Sequence, residues 1–163
     1  MSEAIAIGTF DGVHLGHRQV IEAALGTGLP VRVLTFDPHP RVVLGNFVEA
    51  VSTLERRLEL LTELGVTETT VFNFTLELAK QEPEQFAREQ LANAGVVVAG
   101  AEFRFGRKRR GDLELLEQLG YEVLPVPLLG RVIFGPSIRI KPNEEKEAFL
   151  ERARDALLAL RDR

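Results

Sequence analysis

With 163 residues, 45% of them hydrophobic, and a formal net charge of −4, the chain is about one domain long and able to bury a single substantial core. The acidic balance provides no overall basic field for capturing nucleic acid, and the lack of cysteine excludes disulfides, thiolate metal sites and a cysteine nucleophile. Met-Ser-Glu leads at once into an apolar run that stops at Gly8, too short for a signal-peptide core or a membrane span, so a cytoplasmic protein without membrane association is expected.

The first β-rich run is "AIAIG" near residue 4, followed by "VRVLTF" at 31–36, "TTVFNF" at 69–74, "GVVVAG" at 95–100 and "YEVLPV" at 121–126. Runs apolar on both faces imply buried, mostly parallel strands. Helical patterns lie between them. The clearest spans 53–64, where Ser52 and Glu55 have capping-box spacing, Leu54, Leu58 and Leu61 form one face, and Gly65 follows the end. Pro83 suits the first turn of a helix running to about Asn93. The alternation predicts an α/β fold with a doubly wound parallel sheet, as one domain over residues 1–163. Ligands in such sheets bind beyond the carboxyl ends of the strands, which directs attention to the segments 8–17, 36–47, 100–112 and 130–142.

The segment "IAIGTFDGVHLGH" places His14 and His17 three residues apart where the first strand hands over to a helix. A metal pair and a phosphate cradle are both open on spacing alone. The chain favours phosphate: His39 is the one further histidine, and no Asp or Glu stands in a zinc-type arrangement with the pair. A helix beginning near Val13–Leu15 would direct its free N–H groups and positive dipole end at an anion beside both rings. Gly8, Gly12 and Gly16 thin the backbone around the same turn, while Asp11 reads as a turn-shaping residue. "FDPHP" stiffens the exit from the second strand, and "EFRFGRKRRGD" holds four consecutive cations, Arg107 to Arg110, a run that by itself reads as a solvated loop.

These residues carry a resemblance. "GTFDGVHLGH" resembles the HxGH signature of the nucleotidylyltransferase superfamily, and "VLTFDPHPRVVL", "LERRLELLTELGV" and "VVVAGAEFRFGRKRRGDLELL" follow in the order found in its flavin adenylyltransferase branch, the adenylylating half of bacterial bifunctional riboflavin kinase/FAD synthetases. The resemblance implies a Rossmann-like HxGH nucleotidylyltransferase fold and transfer of AMP from ATP to FMN, giving FAD and pyrophosphate, with Mg2+ accompanying ATP. It implies that His14, His17 and Arg139 act on the phosphates, and that Gly8, Thr9, Phe10, Gly16, Gly100 and Ser137 bind ATP. On the flavin side it places Phe36, Asp37, Pro38, His39, Glu102 and Phe105, with Arg107 and Arg110 as phosphate-loop candidates. Phe103 and Phe105 read as packing residues more than stacking ones, and Glu102 stands where relatives carry Asp or Asn.

The last family motif is altered. In "FGPSIRIKPNEEKE", Ile138 replaces a threonine and so removes a hydrogen-bond donor from the expected phosphate site, while Pro142 breaks a helix that would start at Ser137. A short turn at 137–141 is expected, then a helix from about Asn143 with Phe149, Ala153, Ala156, Leu157 and Leu160 as its buried stripe. No riboflavin kinase module follows before Arg163, which leaves two expectations: a stand-alone adenylyltransferase supplied with FMN by a separate riboflavin kinase, or an isolated module with a reassigned job. Two alternatives stand beside FMN adenylylation: a nucleotidylyltransferase with another phosphorylated acceptor or CTP, and a non-catalytic flavin or nucleotide binder.

Overall fold

The computed structural model describes residues 2–127 and 145–161. Strands β1 (Glu3–Ile7), β2 (Val31–Asp37), β3 (Glu68–Asn73), β4 (Ala94–Gly100) and β5 (Val123–Val126) form one all-parallel sheet in the order β3-β2-β1-β4-β5. The chain winds outward from β1 to β3, then returns to the other side of β1 with β4, so the order reverses between β1 and β4. The carboxyl ends of these two neighbours are therefore the switch point at which open α/β sheets leave a crevice.

The strand sequences explain why both faces are covered. In β1, Ala4 and Ala6 face one core with Val31 and Val33 of β2 and Val96 and Val98 of β4, while Ile5 and Ile7 face the other with Leu34, Phe36, Val97 and Ala99. Helix α1 (Leu15–Leu25) buries Val20, Ile21 and Ala24 against the small-residue face, joined by Leu61 of α3 (Leu54–Glu63). Helices α4 (Pro83–Gln90) and α5 (Leu113–Gln118) cover the opposite face through Phe86, Ala87, Leu113 and Leu116. Each fully buried aliphatic side chain contributes on the order of 1.5–3 kcal/mol by leaving water, so the alternation along these strands secures both layers at once.

Several boundaries differ from the sequence reading. The cap of α3 is Thr53, whose hydroxyl accepts from Arg56 N–H at 3.2 Å; Ser52 is not the cap, because its polar atoms bond to the turn after β1. Helix α4 ends at Gln90 instead of Asn93, since Leu91 leaves the helical conformation and the chain enters β4 at Ala94. A four-residue helix, α2 (Pro40–Val43), follows "FDPH", and the Asp37–Pro38 peptide is cis.

The chain falls into two compact units, residues 1–129 and 130–163. The second contains α6 (Lys146–Arg161), in which Phe149 and Ala153 are partly buried and the Arg152 guanidinium lies 5.7 Å from the Phe149 ring centre. Ser137, Ile138, Arg139, Pro142 and Asn143, and the side chains of Ala156, Leu157 and Leu160, lie outside the described residues. Among the described residues no helix is long and apolar enough to cross a membrane.

Candidate phosphate-binding turn and its surroundings

The turn after β1 has an unusual backbone. Phe10 (φ 50°), Gly12 (φ 68°) and Val13 (φ 41°) all occupy the left-handed region, with a 3-10 turn over Asp11–Val13. For Phe and above all for β-branched Val this conformation costs on the order of 1–3 kcal/mol each, and it persists only where the surroundings impose it. The imposing contacts are visible. Asp11 accepts from Val51 N–H (2.9 Å), from Ser52 N–H (2.9 Å) and from the Ser52 hydroxyl (3.1 Å), and Gly12 N–H donates back to Ser52 Oγ at 2.9 Å. A Cβ on Gly12 would stand 2.7 Å from Val51 Cγ1, so glycine also permits the close approach of the two segments. Phe10 and Val13 are buried beneath the turn. Burial acts to raise the Asp11 carboxyl, but the hydrogen bonds from Val51 and Ser52, aided by the Arg57 charge, hold it below its ordinary value.

This contorted turn delivers His14 as the cap of α1, with its Nδ1 accepting from His17 N–H at 3.4 Å. The two rings stack with centroids 3.6 Å apart and planes within 20°. Lone pairs of imidazoles lie in the ring plane, so two rings this nearly parallel do not converge on one ion, whereas they suit a row of phosphate oxygens. Leu15 and Gly16 open the helix ahead of any intrahelical acceptor, so their N–H groups lie at the positive end of its dipole. His17 rests on the Phe10 ring (centroids 5.2 Å) and its Nδ1 is buried without a protein partner. Burial pushes His17 down to about 4, the neighbouring His14 and Arg57 pushing the same way and Asp11 opposing. At neutral pH the ring is therefore an uncharged hydrogen-bonding group.

The end of β2 borders the same turn. Thr35 donates its hydroxyl to Thr9 C=O at 2.8 Å, and Gly8 N–H donates to Leu34 C=O at 3.1 Å, which fixes Gly8 and Thr9 beside β2. His39 caps α2, its Nδ1 accepting from Arg41 N–H at 3.1 Å; burial lowers its pKa, with Asp11 opposing and Arg41 and Arg57 adding to the effect. Asp37 is half-buried and Pro38 exposed.

Sequence reasoning missed Arg57. The residue is 3% exposed, and its guanidinium donates to Phe36 C=O at 2.9 Å and to Thr35 Oγ1 at 3.4 Å and lies 4.0 Å from Asp37. It places a positive charge beneath the turn and within electrostatic reach of Asp11, His17 and His39. A signal was available: Arg57 falls on the same helical stripe as Leu54, Leu58 and Leu61, three residues from the first and four from the last.

The remaining expected residues collect elsewhere. Phe36 and Phe105 are buried on the α4/α5 face, where Phe36 meets Phe72 and Phe74, and Phe105 meets Phe86 and Phe103, with ring centres 5.7–5.8 Å apart. Gly100 ends β4, and Glu102 is exposed in the loop beyond it. That loop is fastened rather than free: Phe105 and Gly111 bridge, Gly106 and Gly111 lie so close to Pro83 that a Cβ on either would come within 2.8 Å of it, and Arg107 and Arg110 both pair with Glu82. Arg104 pairs with Asp112, which also caps α5. Among the described residues no three His, Asp or Glu side chains are grouped to hold a metal ion.

Comparison with known proteins matches residues 1–130 to the family model described as FAD synthetase. A Listeria monocytogenes bifunctional riboflavin kinase/FMN adenylyltransferase is 39% identical over 122 residues, covering 69% of this chain and 39% of that protein. A Geobacillus thermodenitrificans relative of the same bifunctional description is 37% identical over 148 residues, covering 88% of this chain and 80% of its own length. A crystal structure described as a macrolide-efflux protein from Streptococcus pneumoniae superimposes with a TM-score of 0.70 at 26% identity, over 78% of this chain and 46% of that one. The chain thus spans about two-fifths of the Listeria relative's length.

Proposed function

The chain belongs to the FAD synthetase family, and from that premise we propose that it transfers AMP from ATP to FMN, releasing pyrophosphate and FAD. In this reaction an FMN phosphate oxygen forms a bond to the α-phosphorus of ATP while the bond from that phosphorus to the bridging oxygen breaks and pyrophosphate leaves. Such chemistry requires alignment and stabilisation of phosphoryl charge, and no covalent protein intermediate.

The single observation that carries the reading is the stacked His14–His17 pair at the start of α1, beside the β1/β4 switch point. The Leu15 and Gly16 N–H groups and the two imidazoles donate to phosphate oxygens. His17, uncharged at neutral pH, contributes direction, and the helix end with buried Arg57 contributes the positive field. Gly8, Thr9 and Gly16 border the nucleotide, with Phe10 as the floor under His17, and Gly100 sits at its β4 side. Asp37, Pro38 and His39 border the flavin with Glu102, and Phe36 and Phe105 form the aromatic layer beneath. Arg107 and Arg110 reach phosphate by exchanging Glu82 for it. Ser137 and Arg139, which the family resemblance assigns to the phosphates, lie outside the described residues.

Both Asp11 oxygens are already committed to residues 51 and 52, and the described residues offer no metal cage. Mg2+ would enter with the substrate, as the counter-ion of the ATP phosphates. We further infer that residues 1–130, the part matched by the family model, carry the nucleotidylyltransferase domain and that it acts in the cytoplasm.

The test is incubation with FMN, ATP and magnesium and chromatographic detection of FAD, with His17→Ala as control. FAD that disappears in the control is the expected result. Pyrophosphate release with CTP or another phosphorylated acceptor would transfer the proposal to that reaction, and saturable binding with no pyrophosphate would leave a binder.

A further inference from the structure

We propose that Ser52, a residue outside the histidine turn, is a positioning residue that fixes His14 and His17 for phosphate transfer. This rests on the transfer reaction proposed above. The hydroxyl and N–H of Ser52 are directed across forty residues of sequence onto the two positions that shape the turn: Oγ accepts from Gly12 N–H at 2.9 Å, and both the N–H (2.9 Å) and the hydroxyl (3.1 Å) donate to Asp11 Oδ1. Val51 extends the clamp with its N–H to Asp11 Oδ2 at 2.9 Å and its side chain against Gly12.

A simpler role, capping α3, is already filled by Thr53. Ser52 therefore makes these bonds in addition to the needs of its own helix. Gly12 and Val13, held at φ 68° and 41°, lead directly into His14, whose Nδ1 caps His17 N–H. Loosening the clamp lets these left-handed residues relax toward ordinary backbone, which rotates the cap and unstacks the rings. Ser52 touches no reacting atom in this scheme and acts through Asp11 and Gly12.

The experiment compares Ser52→Ala and Ser52→Thr with the wild-type chain by steady-state FAD formation and by an NMR titration of the His17 ring. In the wild type, burial together with the charges of His14 and Arg57, opposed by Asp11, sets the expected His17 midpoint at about 4. For Ser52→Ala the expected result is a fall in kcat of about ten- to a hundredfold with the KM for ATP changed by less than about threefold. Its His17 midpoint rises toward the ordinary value as the ring leaves its packed position, and Ser52→Thr, which keeps the hydroxyl, restores both readouts. Either readout unchanged in Ser52→Ala overturns the proposal. If the wild-type chain forms no FAD, the reaction assignment fails by itself, and the His17 midpoint, which needs no turnover, still decides whether Ser52 holds the turn. Should Ser52→Ala not fold, Ser52→Cys keeps the shape while weakening the hydrogen bonds and is read the same way.

Discussion

The loops that follow β1 and β4 leave neighbouring parallel strands at the same end of the sheet, yet they use their polar groups in opposite ways. After β1, the carboxylate of Asp11 turns inward to backbone and hydroxyl donors of residues 51–52, and the histidines are left at an open helix start. After β4, the cations turn sideways: Arg107 and Arg110 to Glu82, Arg104 to Asp112. The first loop is held by hydrogen bonds from residues 51 and 52, three of the four partly buried, with the buried Arg57 charge nearby, the second by exposed ion pairs and close glycine–proline packing. Held from beneath, a loop can present preformed groups to a ligand. Held by exposed ion pairs, it can exchange partners at small cost.

The contrast is broken most severely at His17. His17→Ala is expected to lower FAD formation by about a hundred- to a thousandfold, the loss typical of one preorganised donor to a developing phosphoryl charge, as read by chromatography of product. Arg57→Met comes next and tests the support from below. It leaves the Phe36 carbonyl without its donor in the interior, so unfolding in urea should show a loss of about 2–3 kcal/mol, read as a lowered midpoint at unchanged slope.

The pH dependence sharpens the same comparison. His17 titrates near 4 in the folded chain against an ordinary 6.5, so between those values the unfolded ring binds the extra proton. Stability is then fully present above about pH 6.5 and declines as the pH falls toward 4. With the ring partly solvated the loss is about 1–2 kcal/mol. His17→Gln should flatten that slope in unfolding measured across this range. Asp11, held below its ordinary 3.8, adds a further decline at still lower pH. The smallest effect belongs to the β4 loop: Glu82→Gln releases Arg107 and Arg110 with a thermal midpoint changed by no more than about 2 °C, because exposed pairs contribute little. A large loss of stability there would show that both loops are braced in the same manner.

Much of the site could be read in one dimension. The strand runs, the loops 8–17, 36–47 and 100–112 at their carboxyl ends and the His14–His17 spacing are local signals, carried by apolar runs, glycine placement and the separation of two imidazoles. The turn-shaping reading of Asp11 rested on its residue type alone and agrees with its hydrogen bonds to Val51 and Ser52. The capping-box spacing of Ser52 and Glu55 misled because Thr53 can cap the same helix, and only the folded chain shows which hydroxyl has a second partner.

The sequence by itself determined an α/β chain with buried parallel strands and a helix that starts at the histidine pair after the first of them, because alternation and helical periodicity depend on neighbours within a few residues. Tertiary structure alone decided that Ser52 clamps Asp11 and Gly12, that Arg57 is buried under β2, and that Arg107 and Arg110 meet Glu82. The physical reason is range. Each of these contacts joins residues more than twenty positions apart, and a hydrogen bond or ion pair across that distance leaves no periodic trace in the chain that makes it.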